Sequence, residues 1–190
     1  MMYLRVIGGK FRGMKLEMLD SPLTRPTKAI LKESLFNVLQ EEIGETLFIE
    51  AFGGSGSVGI EALSRGASEA IFFEQNSKSI KILQNNIAKL KEVKTQVFLG
   101  DSLLLLPQFL QKIQGKAILY LDPPFVIREN MQNIYKDCFS LIQNIQNPHI
   151  FLVIFEHLSS FEMPRSLGNF CIIKQKKFGK SSLSYYLKGH

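Results

Sequence analysis

The chain has 190 residues, 45% of them hydrophobic and 21% charged, enough for one globular core with a small appendage. No apolar run approaches the ~20 residues that a bilayer-spanning helix needs, and Met1–Lys15 alternates apolar residues with Arg and Lys, so neither a membrane segment nor a signal peptide is expected. Two cysteines (Cys138, Cys171) and three histidines (His149, His157, His190) show no ligand spacing, so the expectation is a cytoplasmic protein with inert thiols and no metal.

The net charge of +6 is unevenly spread. Residues 1–35 carry seven Lys/Arg against three acids, residues 163–190 six against none, and residues 36–162 ten against fourteen. Solvated charge for solubility would account for the total but not for the segregation. Cationic ends around an acidic centre fit a polyanion gripped by the termini, with chemistry in the middle.

In chain order, Tyr3–Ile7 and Phe11–Leu16 flank Gly8-Gly9 and read as a small β-hairpin whose arms carry Arg5, Lys10, Arg12 and Lys15. Pro22 and Pro26 mark a loop, and Thr27 opens a helix to about Glu42 with apolar residues at a 3.6 period. Strands are predicted at Leu47–Phe52, Ala70–Glu74, Thr95–Leu99, Ala117–Leu121 and His149–Phe155. Between them, helices are predicted at Ser57–Arg65, Ser77–Lys91, Ser102–Ile113 and Arg128–Gln146, the last placing Met131, Ile134/Tyr135, Cys138, Leu141/Ile142 and Ile145 on one face. Such alternation implies a parallel sheet covered by helices on both sides. Phe170–Lys174 and Leu183–Leu187, separated only by a turn through Gly179, should pair antiparallel at one edge. The fold class is therefore α/β, mostly parallel with an antiparallel C-terminal hairpin, the Rossmann-like arrangement of class I methyltransferases by analogy of fold.

The first strand of the repeat runs into Glu50-Ala-Phe-Gly-Gly-Ser-Gly-Ser-Val-Gly59, where Gly54, Gly56 and Gly59 satisfy a dinucleotide fingerprint. Glycines let the backbone approach a ligand, and the open helix start favours a polar group. A glycine-tolerant tight turn would read the same way. Glu74 ends the second strand about 20 residues on, where a carboxylate can take both ribose hydroxyls. Asp101 follows the third strand, placed for an adenine amine or as the N-cap of the next helix. A ribose and an adenine without a diphosphate describe S-adenosylmethionine as well as NAD, and the loop does not decide between them.

The fourth strand ends in Leu121-Asp-Pro-Pro-Phe125. Pro123 biases Asp122 to an extended backbone, and neither Pro123 nor Pro124 has an N–H. The bend is stiff and offers acceptors alone: the Asp122 carboxylate and nearby carbonyls, beside the flat ring of Phe125. Together they form a slot for a planar group bearing an N–H₂. Two acceptors on the hydrogens of a nucleobase amine favour its pyramidal, nucleophilic form, ready for in-line attack on a sulfonium methyl group. Hydride transfer has no use for this array. A strand-terminating turn is the bland alternative, and the position after a glycine loop and two strand-end acids weighs against it.

These residues resemble a known family, the small single-domain bacterial 16S ribosomal RNA guanine-N2 methyltransferases. The likeness rests on Arg5-Val-Ile-Gly-Gly-Lys-Phe-Arg-Gly13, on Arg25-Pro-Thr27 with Lys32–Asn37, on Phe52–Ala67, on Leu121–Phe125 and on Phe178–Tyr185. The resemblance implies S-adenosylmethionine as cofactor and S-adenosylhomocysteine as product. It implies a cofactor site of Glu50, Phe52, Gly53, Gly54, Ser55, Gly56, Glu74, Gln75, Asp101, Ser102 and Asp122, and a catalytic motif of Asp122, Pro123, Pro124 and Phe125 that holds the target guanine. Residues 1–45 would be an RNA-docking extension and 46–190 the methyltransferase domain. Arg5, Lys10, Arg12, Lys15, Arg25, Lys28, Lys32, Lys176, Lys177 and Lys180 would meet 16S rRNA in an assembled or nearly assembled small subunit. Glu50 stands where the family usually has Asp, and Ile30 and Lys32 where arginines are expected. Two alternatives are an adenine-N6 methyltransferase on DNA or RNA and a non-catalytic RNA-binding protein on the same scaffold.

Overall fold

The computed structural model describes residues 2–18, 25–124 and 132–189, which group into two compact units, Met1–Ser102 and Leu103–His190. In the first unit, β1 (Met2–Arg5) and β2 (Lys15–Met18) pair antiparallel, with Arg5 opposite Lys15. Helix α1 (Arg25–Leu39) runs into a 3-10 turn at Gln40–Ile43. Then β3 (Leu47–Glu50), α2 (Ser57–Ser64), β4 (Glu69–Glu74), α3 (Ser77–Ile87) and β5 (Lys94–Leu99) alternate as the sequence pattern anticipates. The three strands are parallel in the order β5-β4-β3. Phe48, Ile49, Ile71, Phe72 and Phe73 are buried, the apolar runs that strands covered on both faces require. Helix α3 starts where Asn76 Oδ1 accepts from the N–H groups of Lys78 and Ser79 (2.9 and 3.2 Å), a side-chain cap on otherwise unpaired donors.

The N-terminal hairpin differs from the expectation. Its strands are shorter, and residues 6–14 form a loop seated on α2. Val6 N–H donates to Met14 O and Gly13 N–H to Val6 O, while Lys10 N–H goes to Ser64 O (2.7 Å) and Phe11 N–H to Ser64 Oγ (2.9 Å). Helix α2 thus takes backbone bonds that a longer ladder would have used. Gly9, at φ +74°, sits where a Cβ would lie 1.7 Å from Ser64 O, so no other residue fits. Val6 and Leu16 join a core cluster with Ile60, Leu63, Ala70, Phe72, Leu83 and Leu90, which packs the hairpin into its unit.

In the second unit, α4 (Ser102–Gln111, its first residue at the boundary) leads to β6 (Ala117–Leu121), α5 (Gln132–Gln143), β7 (Ile150–Leu158), β8 (Ser166–Leu167), β9 (Phe170–Phe178) and β10 (Ser181–Lys188). Strand order is β6-β7-β10-β9-β8, parallel between β6 and β7 and antiparallel beyond. Strand β6 is buried along its length. Helix α5 buries Tyr135, Cys138, Leu141 and Ile142; its expected start at Arg128, and Met131, lie outside the described residues. Strands β7 and β9 run three and four residues past their expected ends, because β10 pairs with both as far as Ser181, leaving Gly179-Lys180 as a two-residue turn with Gly179 at φ +61°. Strand β8 was not expected, and two residues carry no readable period. Among the described residues, no helix is long and apolar enough to cross a membrane.

The first unit is tied together by Glu61 of α2, whose side chain is 0% exposed. Its Oε1 accepts from Gly8 N–H (2.8 Å) and Arg65 Nε (2.9 Å), and its Oε2 from Ile7 N–H (2.8 Å) with Lys32 Nζ at 3.1 Å. Lys32 Nζ also donates to Arg5 O (3.1 Å). Burial pushes the Lys32 ammonium below its ordinary range despite Glu61. Burial would raise Glu61, but Lys32, the Ile7 and Gly8 N–H groups and Arg65 outweigh it and hold the carboxyl low.

A depressed carboxyl contributes its stability above the ordinary value of 4.5 and loses it as pH falls through the lower folded value. Truncating one member of a buried pair leaves the other charge uncompensated, so Glu61→Ala should cost about 3–5 kcal/mol in urea unfolding at neutral pH. The variant should also lose part of the wild-type decline in stability below pH 4.5; an unchanged acid limb would show that Glu61 does not carry it.

Candidate active site

Residues 51–56 connect β3 to α2 at the carboxyl ends of the parallel strands. The loop is fixed by Gly53 N–H donating to Phe73 O (2.7 Å) and Gly56 N–H to Gly53 O (2.6 Å). Gly54 and Gly56 take positive φ, +51° and +74°. The glycines serve different ends. A Cβ at Gly56 would lie 2.3 Å from Leu83 Cδ1, and one at Gly59 2.4 Å from Phe72 Cε1, so both permit close packing of helix on strand. A Cβ at Gly54 would meet nothing within 4 Å. That open space beside half-buried main chain is the candidate cradle. Phe52 and Ser55 are half-buried and Gly53 is buried.

The strand-end acids hold the loop's shape. Glu50, 4% exposed, accepts from Gly59 N–H at Oε2 (2.8 Å), in the first turn of α2. Glu74, half-buried, accepts from Gly54 N–H at Oε2 (2.7 Å) and from Asn76 N–H at Oε1 (2.7 Å). A carboxylate has about four acceptor sites, so Glu74 retains capacity for hydroxyls while fixing the loop. Gly100 N–H donates to Glu74 O (3.0 Å), which draws the end of β5 to the end of β4. Asp101 and Gln75 are exposed there, and Ser102 is buried at the start of α4. Glu50, Phe52–Gly56, Glu74, Gln75, Asp101 and Ser102 therefore share one rim of the first unit. Open space at Gly54, a carboxylate with spare lone pairs and two exposed polar side chains fit a nucleoside with a charged amino-acid tail.

In the second unit, Asp122 is half-buried at the end of β6, followed by buried Pro123 and exposed Pro124; Phe125 lies outside the described residues. Leu121 sits beside Phe155 in the β6–β7 ladder. Glu156 follows Phe155 in β7. Glu156 is 4% exposed, and its Oε2 accepts from Tyr120 Oη at 2.5 Å. Tyr135 of α5 packs edge-on against Phe155 and Phe161 (centroids 5.4 and 4.7 Å), and its Oη accepts from Leu158 N–H (3.1 Å). Burial, joined by the Asp122 charge and opposed by that N–H, pushes the Tyr135 hydroxyl up to about 12, so it stays protonated. His157 is buried between Leu158 O at Nδ1 (2.8 Å) and Ser184 Oγ at Nε2 (2.7 Å), and burial holds it below its usual value. It is a satisfied core imidazole.

Arg5, Lys10, Arg12 and Lys15 are exposed on and around the hairpin, Lys177 and Lys180 on β9 and its turn; Lys28 and Lys176 are half-buried. Arg25 begins α1, and its side chain lies outside the described residues. Lys32 requires a correction: at 2% exposure, with its ammonium committed to Glu61 and Arg5 O, it has no face for a phosphate. Ile30, by contrast, is 56% exposed. Three polar residues gave no signal in the sequence. Glu156 and Tyr120 sit inside strands as ordinary alternation breaks, and Asn86 reads as one polar position on an amphipathic helix. Among the described residues, no three or more His, Cys, Asp or Glu side chains are grouped to hold a metal.

The family model described as Conserved hypothetical protein 95 matches residues 4–187. A Bacillus subtilis protein named as an rRNA methyltransferase is 29% identical over 187 residues, 97% of this chain and 99% of that one. The Escherichia coli ribosomal RNA small subunit methyltransferase D is 38% identical over 122 residues, 64% of this chain and 60% of that protein. A solved Escherichia coli protein described as a methyltransferase superposes with a TM-score of 0.79 at 28% identity, covering 98% of both chains. With parallel strands β3 to β5 in the first unit, parallel β6 and β7 with the antiparallel C-terminal pair in the second, and the glycine loop at the strand ends, the fold is that of class I methyltransferases, and the chain belongs to the Conserved hypothetical protein 95 family, the one its sequence motifs resemble.

Proposed function

We propose that the chain is a cytoplasmic, S-adenosylmethionine-dependent methyltransferase that acts on the exocyclic N2 of a guanine in 16S rRNA, within an assembled or nearly assembled small ribosomal subunit. The relatives named as methyltransferases of ribosomal RNA support the reaction class and the substrate polymer. The observation that carries the choice of base is the acceptor-rich end of β6. Asp122 is followed by two residues without N–H. Guanine presents N1–H and N2–H₂ as adjacent donors on its pairing edge, so one carboxylate can accept from both. Adenine and cytosine lack that pair.

When bound, S-adenosylmethionine supplies an electrophilic sulfonium methyl and leaves as S-adenosylhomocysteine. The chain's own part is positioning, which can account for much of such a rate. The Gly54–Gly56 turn and Glu74 hold the cofactor's polar groups. Asp122 and the Pro123–Pro124 carbonyls grip the base amine so that its lone pair is available. Transfer would form the N2–C bond as the donor's S–C bond breaks, and the Asp122 carboxylate would take the proton that N2 gives up. Phe125 is assigned to stack on a base turned out of its helix, an interaction of roughly 1–3 kcal/mol. Residues 1–45 remain the docking segment, with Lys32 removed from the phosphate-binding set. Arg5, Lys10, Arg12, Lys15 and Lys28 stay at one end of the chain, Lys176, Lys177 and Lys180 at the other.

Asp122→Ala should abolish methyl transfer to unmodified small subunits while calorimetry shows S-adenosylmethionine binding largely retained. Parallel loss of both would remove Asp122 from the base. Nucleoside analysis of the product separates N2-methylguanine from N6-methyladenine, and the latter would favour the adenine reading. Charge reversal at Arg5, Lys10 and Arg12 should weaken subunit binding and lower the slope of log K against log salt by about 1 for each phosphate that is no longer neutralised. An unchanged slope would move the docking face elsewhere.

A further inference from the structure

Phe161 stands just past the end of β7 and is 38% exposed. Its ring lies 4.7 Å from that of Tyr135, nearly perpendicular to it at 86°, and 6.0 Å from that of Phe139. Both of those rings pack on Phe155 (5.4 and 5.6 Å). Phe155 is paired with Leu121, the residue before Asp122. Phe161 is thus two ring contacts from the strand end that bears Asp122, and the Asp122 charge is felt at the Tyr135 hydroxyl. Of the large apolar side chains exposed among the described residues of the second unit, Phe161 is the aromatic one.

The backbone ties this ring to the basic C-terminal turn. Phe161 N–H donates to Leu158 O (3.0 Å) and Ser159 N–H to Lys180 O (2.8 Å), while the hydroxyls of Ser159 and Ser182 share a hydrogen bond (2.8 Å). Ser182 stands opposite both His157 and Lys177 in the ladders. Opposed residues share a sheet face, and so do residues two apart on a strand. Lys177 therefore projects from the face on which Tyr135 meets Phe155. Lys177 and Lys180 are exposed. From Leu158 to Lys188 the chain carries six Lys/Arg against one acid, Glu162.

We propose that Phe161 is a stacking platform for an unpaired nucleotide flanking the target base, with Lys177 and Lys180 on the adjoining phosphates. This rests on the function proposed above and names the part of the RNA that the second unit grips. A lone apolar ring on a surface is ordinary, but this one is set among cations beside the strand end that meets the base. Aromatic side chains reach the bases of RNA where the strand is unpaired, and stacking accepts any base because each has a flat face. A ring already held on two others loses little rotamer freedom when a base lands on it, so the platform is formed in advance.

The chain has no tryptophan, so Phe161→Trp introduces a single indole at the proposed contact. Its fluorescence is followed at low salt while an unstructured oligoribonucleotide is added, with binding read independently from the anisotropy of a dye on the RNA 3′ end. Quenching should track binding, and Lys180→Ala in the same background should lower the salt slope of that binding by about 1. Phe161→Leu should weaken the affinity of the full chain for unmodified small ribosomal subunits on the order of tenfold, with S-adenosylhomocysteine affinity unchanged, while Phe161→Trp binds subunits as the wild type does. A merely structural role predicts the reverse order, with leucine tolerated and the larger indole disruptive. RNA that does not bind, or that binds without quenching, would overturn the platform. An unquenched indole together with weakened subunit binding in Phe161→Leu would assign the ring to a ribosomal protein instead. Wild-type subunit affinity in Phe161→Leu, or S-adenosylhomocysteine affinity falling in step with it, would also overturn the platform while leaving the enzymatic reading in place. A wild-type chain that neither binds S-adenosylhomocysteine nor methylates subunits would overturn that reading itself.

Discussion

A glycine-rich turn exposes backbone N–H groups, and the first unit is organised around carboxylates that accept from them. Glu50 takes Gly59 N–H, Glu74 takes those of Gly54 and Asn76, and Glu61 takes those of Ile7 and Gly8. A hydrogen bond with an ionised acceptor is stronger than a neutral one. Without Glu50 the start of α2 would lose a cap, since Gly56 has no side chain to give it one. Without Glu74 the open residue of the cradle, Gly54, would lose the bond that sets its main chain. Without Glu61 the loop bearing Lys10 and Arg12 would lose its seat on α2. The same chemistry thus shapes the glycine turn at one end of α2 and the loop bearing Lys10 and Arg12 at the other.

Helix α2 explains why the two ends stand in fixed relation. It is only eight residues long, Ser57–Ser64, with six of them buried. Its N-terminal turn is locked by Gly59 against Phe72 and Glu50, and its C-terminal turn by Ser64 against Gly9 and Phe11. Protein interiors pack too tightly for such an element to shift without moving its neighbours. Asn86 closes the circuit from the other side of the loop through α3. The hairpin loop and the glycine turn are thus bolted to the same short helix.

The architecture was legible because it obeys local periods: β6 as an unbroken apolar run, α3 and α5 as apolar stripes, and strand-end acids at Glu74 and Asp101. What escaped was long-range and polar. Glu61 and Arg65 stand four apart, which on any helix suggests a solvent-facing pair, yet the glutamate is fully buried and meets partners 53 and 54 residues away. Lys32 looked like one more phosphate ligand because periodicity cannot show which lysine on a helix faces a buried acid. The hairpin register failed for the same reason: its missing backbone partners are Ser64 O and Ser64 Oγ, far along the chain. Glu156 carried no signal at all until the fold set its Oε2 on the hydroxyl of Tyr120.

The contrast between Glu74 and Asp122 shows what the paired prolines do to a strand-end acid. Both acids end parallel strands. Glu74 accepts from the N–H two residues on, at Asn76, and the chain repeats that short closure where Asn76 accepts from Lys78 N–H and Asn147 from His149 N–H. It is the ordinary way for a short polar side chain to satisfy itself in a turn. At Asp122 the residue two positions on is Pro124, and the residue between is Pro123, so the local donors that would close such a turn do not exist. Whatever donors this carboxylate accepts must come from elsewhere in the fold or from a substrate. Two prolines in succession thus leave this carboxylate without the short backbone closure that Glu74 makes. A single proline at 123 would stiffen the bend, but it takes the second, at 124, to deny the carboxylate its habitual partner.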